Sequence, residues 1–295
     1  MVALTYQASA QQVPDYGFDP DIKSAAYATA KGPVVFIDEA HFNFHKRGTR
    51  YFAFSKVLEK DGYQVQSNTK VFSPVSLKET KILVIANALH PSDTVEWIVP
   101  NPSAFTPEEI KILVEWVRNG GSLFFIADHM PIAGAGEALA KAFGFTFYNG
   151  FATDTVAGIF PGTKRELDIF RKSTHTLAEH PITNHVDHVA TFTGQAFQIP
   201  EKAISLLTFD DRYKILLPDT AWKFNNNTKR MPIKGFSQGA VMEYGKGRLA
   251  VFGEAAMFYS QLKGKDKISF GLNSPEADQN LQFLLNLIHW LDRKL

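Results

Sequence analysis

Short apolar runs alternate with amphipathic segments through the first half of the chain. Residues 34–37, 82–86 and 123–126 are rich in β-branched and aromatic side chains, which predicts strands buried on both faces. The segments between these runs space their apolar residues as a helix does, and one of them ends at Gly62 before a short strand predicted over 63–66. This alternation predicts an α/β fold with a doubly wound, mostly parallel sheet and helices on both faces.

The helix that begins after residue 106 carries clear signals at both ends. Thr106 is placed to cap it, Pro107 takes the first helical position, Glu109 completes a capping box, and Gly120-Gly121 ends it. The other elements predicted from the same patterns are a helix over 134–144, a hairpin over 239–252 and a closing amphipathic helix over 281–291.

The periodicity divides the chain into an arm and one large domain. Residues 1–32 have no sustained period and are predicted to form an extended arm that lies over the domain formed by residues 33–295. Between about 150 and 235 the pattern loosens into turns and short strands, over 189–192 and 215–217. We interpret this region as an irregular insertion or an elaborated edge of the same domain, because no part of it is low in complexity.

Composition narrows the classes of function. The 295 residues include 31 basic and 30 acidic side chains, so the formal net charge of +1 gives no support for a nucleic-acid partner. No apolar run approaches the roughly 20 residues that span a bilayer, which predicts no membrane insertion. The chain has no cysteine, which excludes disulfides and a cysteine nucleophile. Ala8-Ser9-Ala10 resembles a signal-peptide cleavage site and predicts a periplasmic or secreted protein; without such a signal we expect a cytoplasmic one.

Polar side chains follow the buried strands at the points where the strands end. Because the carboxyl ends of parallel strands meet at one edge of a sheet, where doubly wound folds bind ligands, we expect these side chains to converge. Charge left unpaired at the end of a buried strand costs stability, so the convergence predicts a functional pocket. The predicted site comprises Asp38, Glu39, His41, His45, Asn87, His90, Asp128, His129 and Glu254.

The segment after the first strand alternates polar and aromatic residues. In an extended chain His41, Asn43 and His45 would share one side, and Phe42 and Phe44 the other. The pattern therefore predicts a row of ligands with an apolar backing.

The predicted site has the ligand types of a divalent metal centre. Imidazoles and carboxylates without thiolate suit zinc, manganese or iron(II), and an open coordination position would activate water. His41, Asp128 and His129 are the first choice of ligands, with His45 and His90 as substitutes.

A metal-free hydrogen-bonded network of the same residues is an equally open alternative. In that network Glu39 or Glu254 would act as general base and His129 as acid. No HExxH or HxHxD string selects between the two, and no GxGxxG or P-loop string is present, so no nucleotide cofactor is expected.

Residues 235–239 match the G-x-S-x-G motif of a nucleophile elbow, with Ser237 as the nucleophile. The elbow needs a strand before the serine and a helix after it, whereas here a proline-containing segment precedes and a hairpin follows. A serine esterase with Asp210, Asp211 or Asp219 as acid partner stays open as a further alternative.

Four large aromatic residues could line a pocket or fill the core, and the sequence favours the core. They are Trp97, Phe151, Phe160 and Trp222.

Several strings in a fixed order along residues 33–295 carry a family resemblance. They include Thr106-Pro107-Glu108-Glu109, Ala127-Asp128-His129-Met130-Pro131, His180-Pro181-Ile182 and Val251-Phe252-Gly253-Glu254-Ala255. In this order they resemble an uncharacterised bacterial branch of the class I glutamine amidotransferase-like superfamily. The resemblance implies a flavodoxin-like sheet. Relatives in that superfamily include true amidotransferases, trehalose-utilisation-like proteins and non-catalytic modules.

The resemblance also limits the chemistry. The amidotransferase nucleophile is a cysteine at a strand-to-helix turn, and the comparable turn here carries Asp128-His129. The amidotransferase mechanism of the family is therefore excluded, and the fold by itself selects no other reaction.

These observations lead us to expect a hydrolase, metal-assisted, that acts on an ester, amide or related bond of a small neutral or sugar-like substrate. The expected catalytic residues are Glu39, Asp128, His129 and Glu254, and the expected substrate-binding residues are Asp38, Asn43 and Asn87. The alternative from another class is a non-catalytic carbohydrate- or ligand-binding module of the same fold.

Overall fold

The computed structural model describes residues 12–156 and 167–295. The predicted cleavage site at residues 8–10 lies outside these ranges, as does Phe160. The helices are α1 (Phe52–Lys60), α2 (Pro107–Arg118), α3 (Ile132–Ala142) and α4 (Asn280–Leu291). The strands are β1 (Gln12–Pro14), β2 (Val34–Asp38), β3 (Gln64–Asn68), β4 (Ile82–Ala86), β5 (Ser122–Ile126), β6 (Thr146–Phe147), β7 (Phe151–Asp154), β8 (Asp168–Arg171), β9 (His188–Thr191), β10 (Phe197–Gln198), β11 (Ile204–Thr208), β12 (Tyr213–Leu217), β13 (Lys229–Pro232), β14 (Ser237–Tyr244), β15 (Gly247–Phe252), β16 (Ser260–Lys263) and β17 (Ile268–Gly271).

A mixed sheet forms the centre of the molecule. Five strands in the spatial order β3-β2-β4-β5-β15 run parallel to one another. Beyond β15 the sheet continues with antiparallel pairing through β14, β10 and β6, and β11 also pairs with β14. The protein therefore has an α/β fold with a mostly parallel central sheet, to which smaller antiparallel sheets are added.

Hydrophobic clusters cover both faces of the parallel strands. Alternate side chains of a strand point to opposite faces, so Val84 of β4 packs in one cluster and Leu83 in the other. The first cluster includes the apolar faces of α1 and α4, and the second includes those of α2 and α3. Each fully buried Leu or Val side chain contributes about 1.5–3 kcal/mol to folding, and this burial holds the strand ends at fixed positions.

Helix α2 begins as its sequence predicts. The Thr106 hydroxyl accepts a hydrogen bond from the backbone N–H of Glu109 at 3.3 Å, and Glu109 Oε2 accepts one from the Thr106 backbone N–H at 3.1 Å. The capping box is confirmed. It also fixes the Glu109 carboxylate at the amino end of α2, with its other oxygen directed away from the helix toward the strand ends.

The region between residues 150 and 235 contains more strand than its sequence pattern suggests. Strands β7, β12 and β13 form a three-stranded antiparallel sheet, and β8 pairs with β9. Ahead of the domain, β1 pairs with β16, which in turn pairs with β17. The chain before β2 is therefore attached to the domain through β1. No helix in the described residues is both long and apolar enough to cross a membrane.

Candidate functional site

The segment that follows β2 folds back instead of continuing as a strand. Asn43 Oδ1 accepts a hydrogen bond from the His41 backbone N–H at 3.0 Å, and Phe42 has a φ of 47°. His41, Asn43 and His45 are buried, whereas Phe42 and Phe44 are exposed. The predicted placement of the two sets on opposite sides is therefore confirmed, but the predicted extended chain is wrong, because the side-chain amide of Asn43 closes a local turn.

His41 links two carboxylates in a buried network. Its Nδ1 lies 2.8 Å from Asp38 Oδ2, and its Nε2 lies 2.8 Å from Glu109 Oε1. Asn43 Nδ2 donates to Asp38 Oδ2 at 3.0 Å, and Asn68 Nδ2 donates to Asp38 Oδ1 at 3.4 Å. Because both nitrogens of His41 are occupied and the ring is buried, this histidine joins the end of β2 to the start of α2.

The carboxylates of this network favour the charged form of His41, and His41 favours the charged form of Glu109. Burial disfavours the charged form of His41, but the hydrogen bonds and charges of Asp38 and Glu109 outweigh it and raise the pKa of His41. Burial likewise raises the pKa of Glu109, but the bonds from His41, Thr106 and Phe72 outweigh it and lower that pKa. The network is thus a carboxylate–imidazolium–carboxylate bridge.

A separate pocket of about 580 Å³ lies at the carboxyl edge of the parallel strands. Aromatic side chains supply much of its wall: Phe44, Trp97, Trp222, Tyr259 and Phe270. Ala256 and a set of polar and charged side chains supply the rest: Gln12, His45, Arg50, Asn87, Asp128, His129, Thr193 and Lys263. The volume suits a small ligand, and the lining mixes apolar surface with a few convergent polar groups, as ligand sites do.

Asp128 and His129 follow β5 and enter the pocket together. The Asp128 backbone N–H donates to Asn87 Oδ1 at 3.1 Å, and Asp128 Oδ1 accepts from the His129 backbone N–H at 2.7 Å. His129 Nδ1 lies 2.8 Å from the carbonyl oxygen of Met130, and its Nε2 lies 3.9 Å from Asp128 Oδ1. A carbonyl only accepts, so Nδ1 carries a proton and Nε2 of the neutral ring is free to accept one.

Aromatic rings hold the imidazole of His129. Phe151 stacks on it with centroids 4.4 Å apart, and Trp222 meets it edge to face at 4.7 Å. The β-strand that bears Phe151 and the loop that bears Trp222 come from the region between 150 and 235. That region therefore completes the pocket.

Glu254 follows β15 and is not among the residues that line the pocket. It is fully buried and accepts hydrogen bonds from the backbone N–H groups of Ala256 at 2.6 Å and Met257 at 2.8 Å. Burial and then the charge of Asp128 raise the pKa of Glu254 well above its usual range, which favours its protonated form. Burial and the charge of Glu254 also raise the pKa of Tyr51.

His45 also lines the pocket, and aromatic rings pack against its imidazole. Its ring centroid is 4.8 Å from that of Tyr51 and 5.6 Å from that of Tyr259. Burial and then the charge of Arg50 lower the pKa of His45 well below its usual value, so the ring is neutral. Neither ring nitrogen has a hydrogen-bond partner among the described residues.

A glycine lets one loop close against the strand ends. Gly194 has a φ of 125°, and a Cβ at this position would collide with the carbonyl oxygen of Gly253. The close approach allows the Gln195 backbone N–H to donate to Gly253 O at 2.9 Å and Gln195 Nε2 to donate to Ala127 O at 2.8 Å. Thr193, in the same loop, lines the pocket.

The structure divides the residues that the sequence predicted for one site. His45, Asn87, Asp128 and His129 line the pocket. Asp38, His41 and Asn43 belong to the buried network, and Glu254 is buried outside the pocket lining, where it accepts backbone hydrogen bonds.

Glu39 and His90 make local contacts away from the pocket lining. Glu39 Oε1 accepts from the backbone N–H of Arg47 at 2.9 Å and from the hydroxyl of Ser67 at 2.8 Å. His90 Nδ1 accepts from the Ser92 backbone N–H at 3.2 Å and so caps the 3₁₀ turn Pro91–Asp93. Across residues 12–156 and 167–295, no three His, Asp or Glu side chains form a group that could hold a metal ion.

Ser237 begins a strand instead of a helix. It is the first residue of β14, and its hydroxyl lies 2.8 Å from Gly239 O and 3.0 Å from Ser205 Oγ. The hydroxyl is buried, and β14 continues to Tyr244. The G-x-S-x-G string therefore has none of the strand–turn–helix context that a nucleophile elbow requires.

Several pocket residues carried no local signal in the sequence. Arg50 lies in the turn before α1 and is one of 31 basic residues, with no motif around it. Tyr259, Lys263 and Phe270 come from the end of the chain that follows Glu254. Trp222 is 43 % exposed and lines the pocket, which corrects the expectation of a core position.

Comparison with known proteins gives a likeness of fold. The chain matches the mmIFT52 N-terminal domain with a TM-score of 0.60 and 14% identity, over 88% of this chain and 96% of that one. It matches a ThuA-like protein of Bacteroides uniformis with a TM-score of 0.52 and 15% identity, over 90% of this chain and 94% of that one. A cytoplasmic protein of Salmonella typhimurium matches with a TM-score of 0.50 and 15% identity, over 88% and 99%. No protein-family model and no curated protein sequence matches the chain.

Replacing the bridging histidine tests the buried network. We expect His41→Ala to lower the free energy of unfolding by about 3–5 kcal/mol, because it leaves two buried carboxylates without their cation. The raised pKa of His41 means that its stabilisation is complete below the unfolded value of about 6.5 and is lost as the pH rises through the higher folded value. Urea unfolding between pH 6 and 9 should therefore show a smaller effect of the substitution at the alkaline end. A loss no larger than that of the exposed control His185→Ala, or one independent of pH, would contradict the assignment.

The hydrogen bonds of Ser237 predict that it is unreactive. We expect a fluorophosphonate probe to leave Ser237 unlabelled in the folded protein, as measured by mass spectrometry of its peptide, with an active serine hydrolase in the same tube as a positive control. Stoichiometric labelling that Ser237→Ala abolishes would restore the serine-esterase alternative.

Proposed function

We propose that the protein is a hydrolase whose reaction takes place in the pocket at the carboxyl edge of the sheet, on a small substrate with an ester, amide or related bond. The observation that carries the proposal is the orientation of His129. The Met130 carbonyl holds its Nδ1–H, so Nε2 is the basic nitrogen, beside the Asp128 carboxylate. A base fixed by a second hydrogen bond in a pocket with several convergent polar groups is the arrangement that general-base catalysis requires.

The residues support a simple sequence of proton movements. His129 Nε2 takes a proton from a water molecule as the water oxygen bonds to the electrophilic carbon of the substrate. Asp128 Oδ1, at 3.9 Å, stabilises the imidazolium that forms. The imidazolium then returns the proton to the leaving oxygen or nitrogen as the bond between that atom and the carbon breaks. Asn87 supports the site by accepting from the Asp128 backbone N–H.

A divalent metal ion stays part of the proposal in a narrower form. His41 and His90 are engaged elsewhere, so Asp128 and His129 are the adjacent donors that face the pocket, and the other ligands of an ion held there would be water or substrate. In this form His129 Nε2 would bind the ion instead of acting as the base. Zinc, manganese or iron(II) suits this donor set, and such an ion would supply an activated water.

A non-catalytic binding module is the second candidate, and the aromatic wall favours it. Trp222 and Phe44 are 43 % and 39 % exposed, and both line the pocket with Trp97. Aromatic rings pack against the apolar side of a sugar ring, and the polar groups nearby would bind its hydroxyls. Asp128→Asn separates the candidates, because it would abolish turnover in a hydrolase and only weaken binding in a module.

We also propose a flavodoxin-like, doubly wound core and a place in the class I glutamine amidotransferase-like superfamily. The spatial order β3-β2-β4-β5-β15 corresponds to the chain order 2-1-3-4-5 of a flavodoxin-like sheet, with a helix pair in each of the two clusters. The likeness to a ThuA-like protein is consistent with this placement.

The base is tested by substitution against a panel of chromogenic esters, amides and glycosides. We expect the wild-type protein to hydrolyse at least one member and His129→Gln to lower kcat by about 10²–10⁴-fold, the range of a lost general base. His90→Gln, which alters a histidine outside the pocket lining, should keep the wild-type rate. Hydrolysis of no panel member, or equal rates for His129→Gln and wild type, would argue for the binding module.

Elemental mass spectrometry of the purified protein tests the metal ion. The metal form of the proposal predicts near-stoichiometric zinc, manganese or iron in the wild-type protein and its loss in Asp128→Asn. An absence of metal from the wild type after incubation with excess ions would remove the ion from the proposal and leave the metal-free base.

A further inference from the structure

Arg50 is a cation at the wall of the pocket that has no carboxylate partner among the described residues. Its guanidinium lies over the ring of Phe44, 4.3 Å from the centroid, and its Nη1 donates to Gln12 Oε1 at 3.4 Å and to Gln261 Oε1 at 3.3 Å. Most arginines that are partly buried pair with an acid, because burial of an unpaired charge is costly. Burial lowers the pKa of Arg50 from its ordinary value, as expected for a cation that lacks an anion.

The contacts of Arg50 leave one edge of the guanidinium open. Two glutamine side chains occupy Nη1, and the ring of Phe44 occupies one face. Nε and Nη2 form the remaining fork, and neither donates to a residue within 12–156 or 167–295. This fork matches the two oxygens of a carboxylate or phosphate, which arginine binds with two parallel hydrogen bonds.

Other polar groups near Arg50 also lack partners in the described part of the chain. Both nitrogens of His45, which is 3 % exposed, have no hydrogen bond, and neither do Trp97 Nε1 and Gln261 Nε2. His45 and Trp97 line the same pocket as Arg50, and Gln261 holds the guanidinium. Buried polar atoms are nearly always satisfied, so several orphans around one pocket point to a bound polar ligand or water.

The charge balance of the lining favours an anion. Arg50 is cationic and has no carboxylate partner among the described residues, Asp128 is the one acid among the lining residues, and His45 is neutral. A neutral ligand would leave the Arg50 fork unpaired, whereas a singly charged anion would pair it.

We propose that the Arg50 end of the pocket binds the carboxylate or phosphate group of a small organic anion, with the aromatic wall against the rest of the molecule. The proposal rests on the proposed function only in using the same pocket, and it refines the expected neutral substrate to an acidic one. His129 and Asp128 would then meet the bond to be hydrolysed, and Arg50 would set the position of the substrate without taking part in proton transfer.

Binding of simple anions tests the site without any turnover. Trp97 and Trp222 line the pocket, so intrinsic fluorescence reports its occupancy. We would titrate the full chain with sodium phosphate and with sodium glucuronate, each against sodium chloride of equal ionic strength and against neutral glucose. We expect saturable binding of at least one anion with a Kd on the order of 1 mM and no saturation with chloride or glucose. The stronger of the two anions identifies phosphate or carboxylate as the preferred group.

Variants show whether Arg50 is responsible. Arg50→Gln should weaken the anion about 10-fold or more, and Arg50→Lys should weaken it by several-fold, because lysine keeps the charge but loses the fork. Arg118→Gln is the matched control, since Arg118 also packs on an aromatic ring, that of Tyr244, but lies outside the pocket. It should bind as the wild type does.

The outcomes separate this proposal from the proposed function. Anion binding that depends on Arg50 supports the site even if no panel substrate is hydrolysed. No saturable binding of either anion, or equal affinity in Arg50→Gln and wild type, would overturn it even if His129 proves catalytic. If Arg50→Gln fails to fold by circular dichroism, the comparison of Arg50→Lys with Arg118→Gln decides.

Discussion

Five strands that run in the same direction must end at the same edge of the sheet, and the rest of the structure follows from this constraint. Four of them, β2, β4, β5 and β15, pass from an apolar layer into polar residues at that edge, where a charge without a partner would cost several kcal/mol. Asp38, Asn87, Asp128 and Glu254 all arise in this way, at or just after the ends of β2, β4, β5 and β15. The fold must therefore satisfy several polar groups in a small volume.

The fold satisfies the polar groups at the strand ends in two different ways. At β2 the carboxylate is enclosed: His41 bridges Asp38 to Glu109, and the capping box of α2 holds Glu109 in place. At β5 the polar groups stay open: Asp128 accepts a backbone hydrogen bond, His129 donates one to a backbone carbonyl, and both side chains face a pocket. The closed network fixes the geometry of the edge, and the open one keeps groups available for a ligand. Rigid support beside an accessible site is what pre-organised chemistry requires.

The pocket is built by segments that are far apart in the chain. Arg50 precedes α1, yet Gln12 of β1 and Gln261 of β16 orient its guanidinium. Trp222 and Phe151 come from the region of small antiparallel sheets and hold the ring of His129. The additions to the central sheet therefore form much of the pocket wall, and residues that do not come from strand ends set the polarity of that wall.

Sequence alone predicted the buried parallel strands, the main helices and the edge of the sheet at which several polar residues meet. The capping box of α2, the buried runs of β2, β4 and β5, and the position of Asp128 and His129 all follow from hydrogen bonding and burial within a few residues. Tertiary structure decided which groups meet. His41 forms a structural bridge because Glu109, 68 residues away in the chain, lies within hydrogen-bond distance of it. Arg50 lines the pocket, where it bonds to side chains of the paired strands β1 and β16. A local sequence pattern reflects the hydrogen bonding and burial within its own segment. The distances between segments depend on strand register, loop closure and packing, which no short stretch of sequence contains.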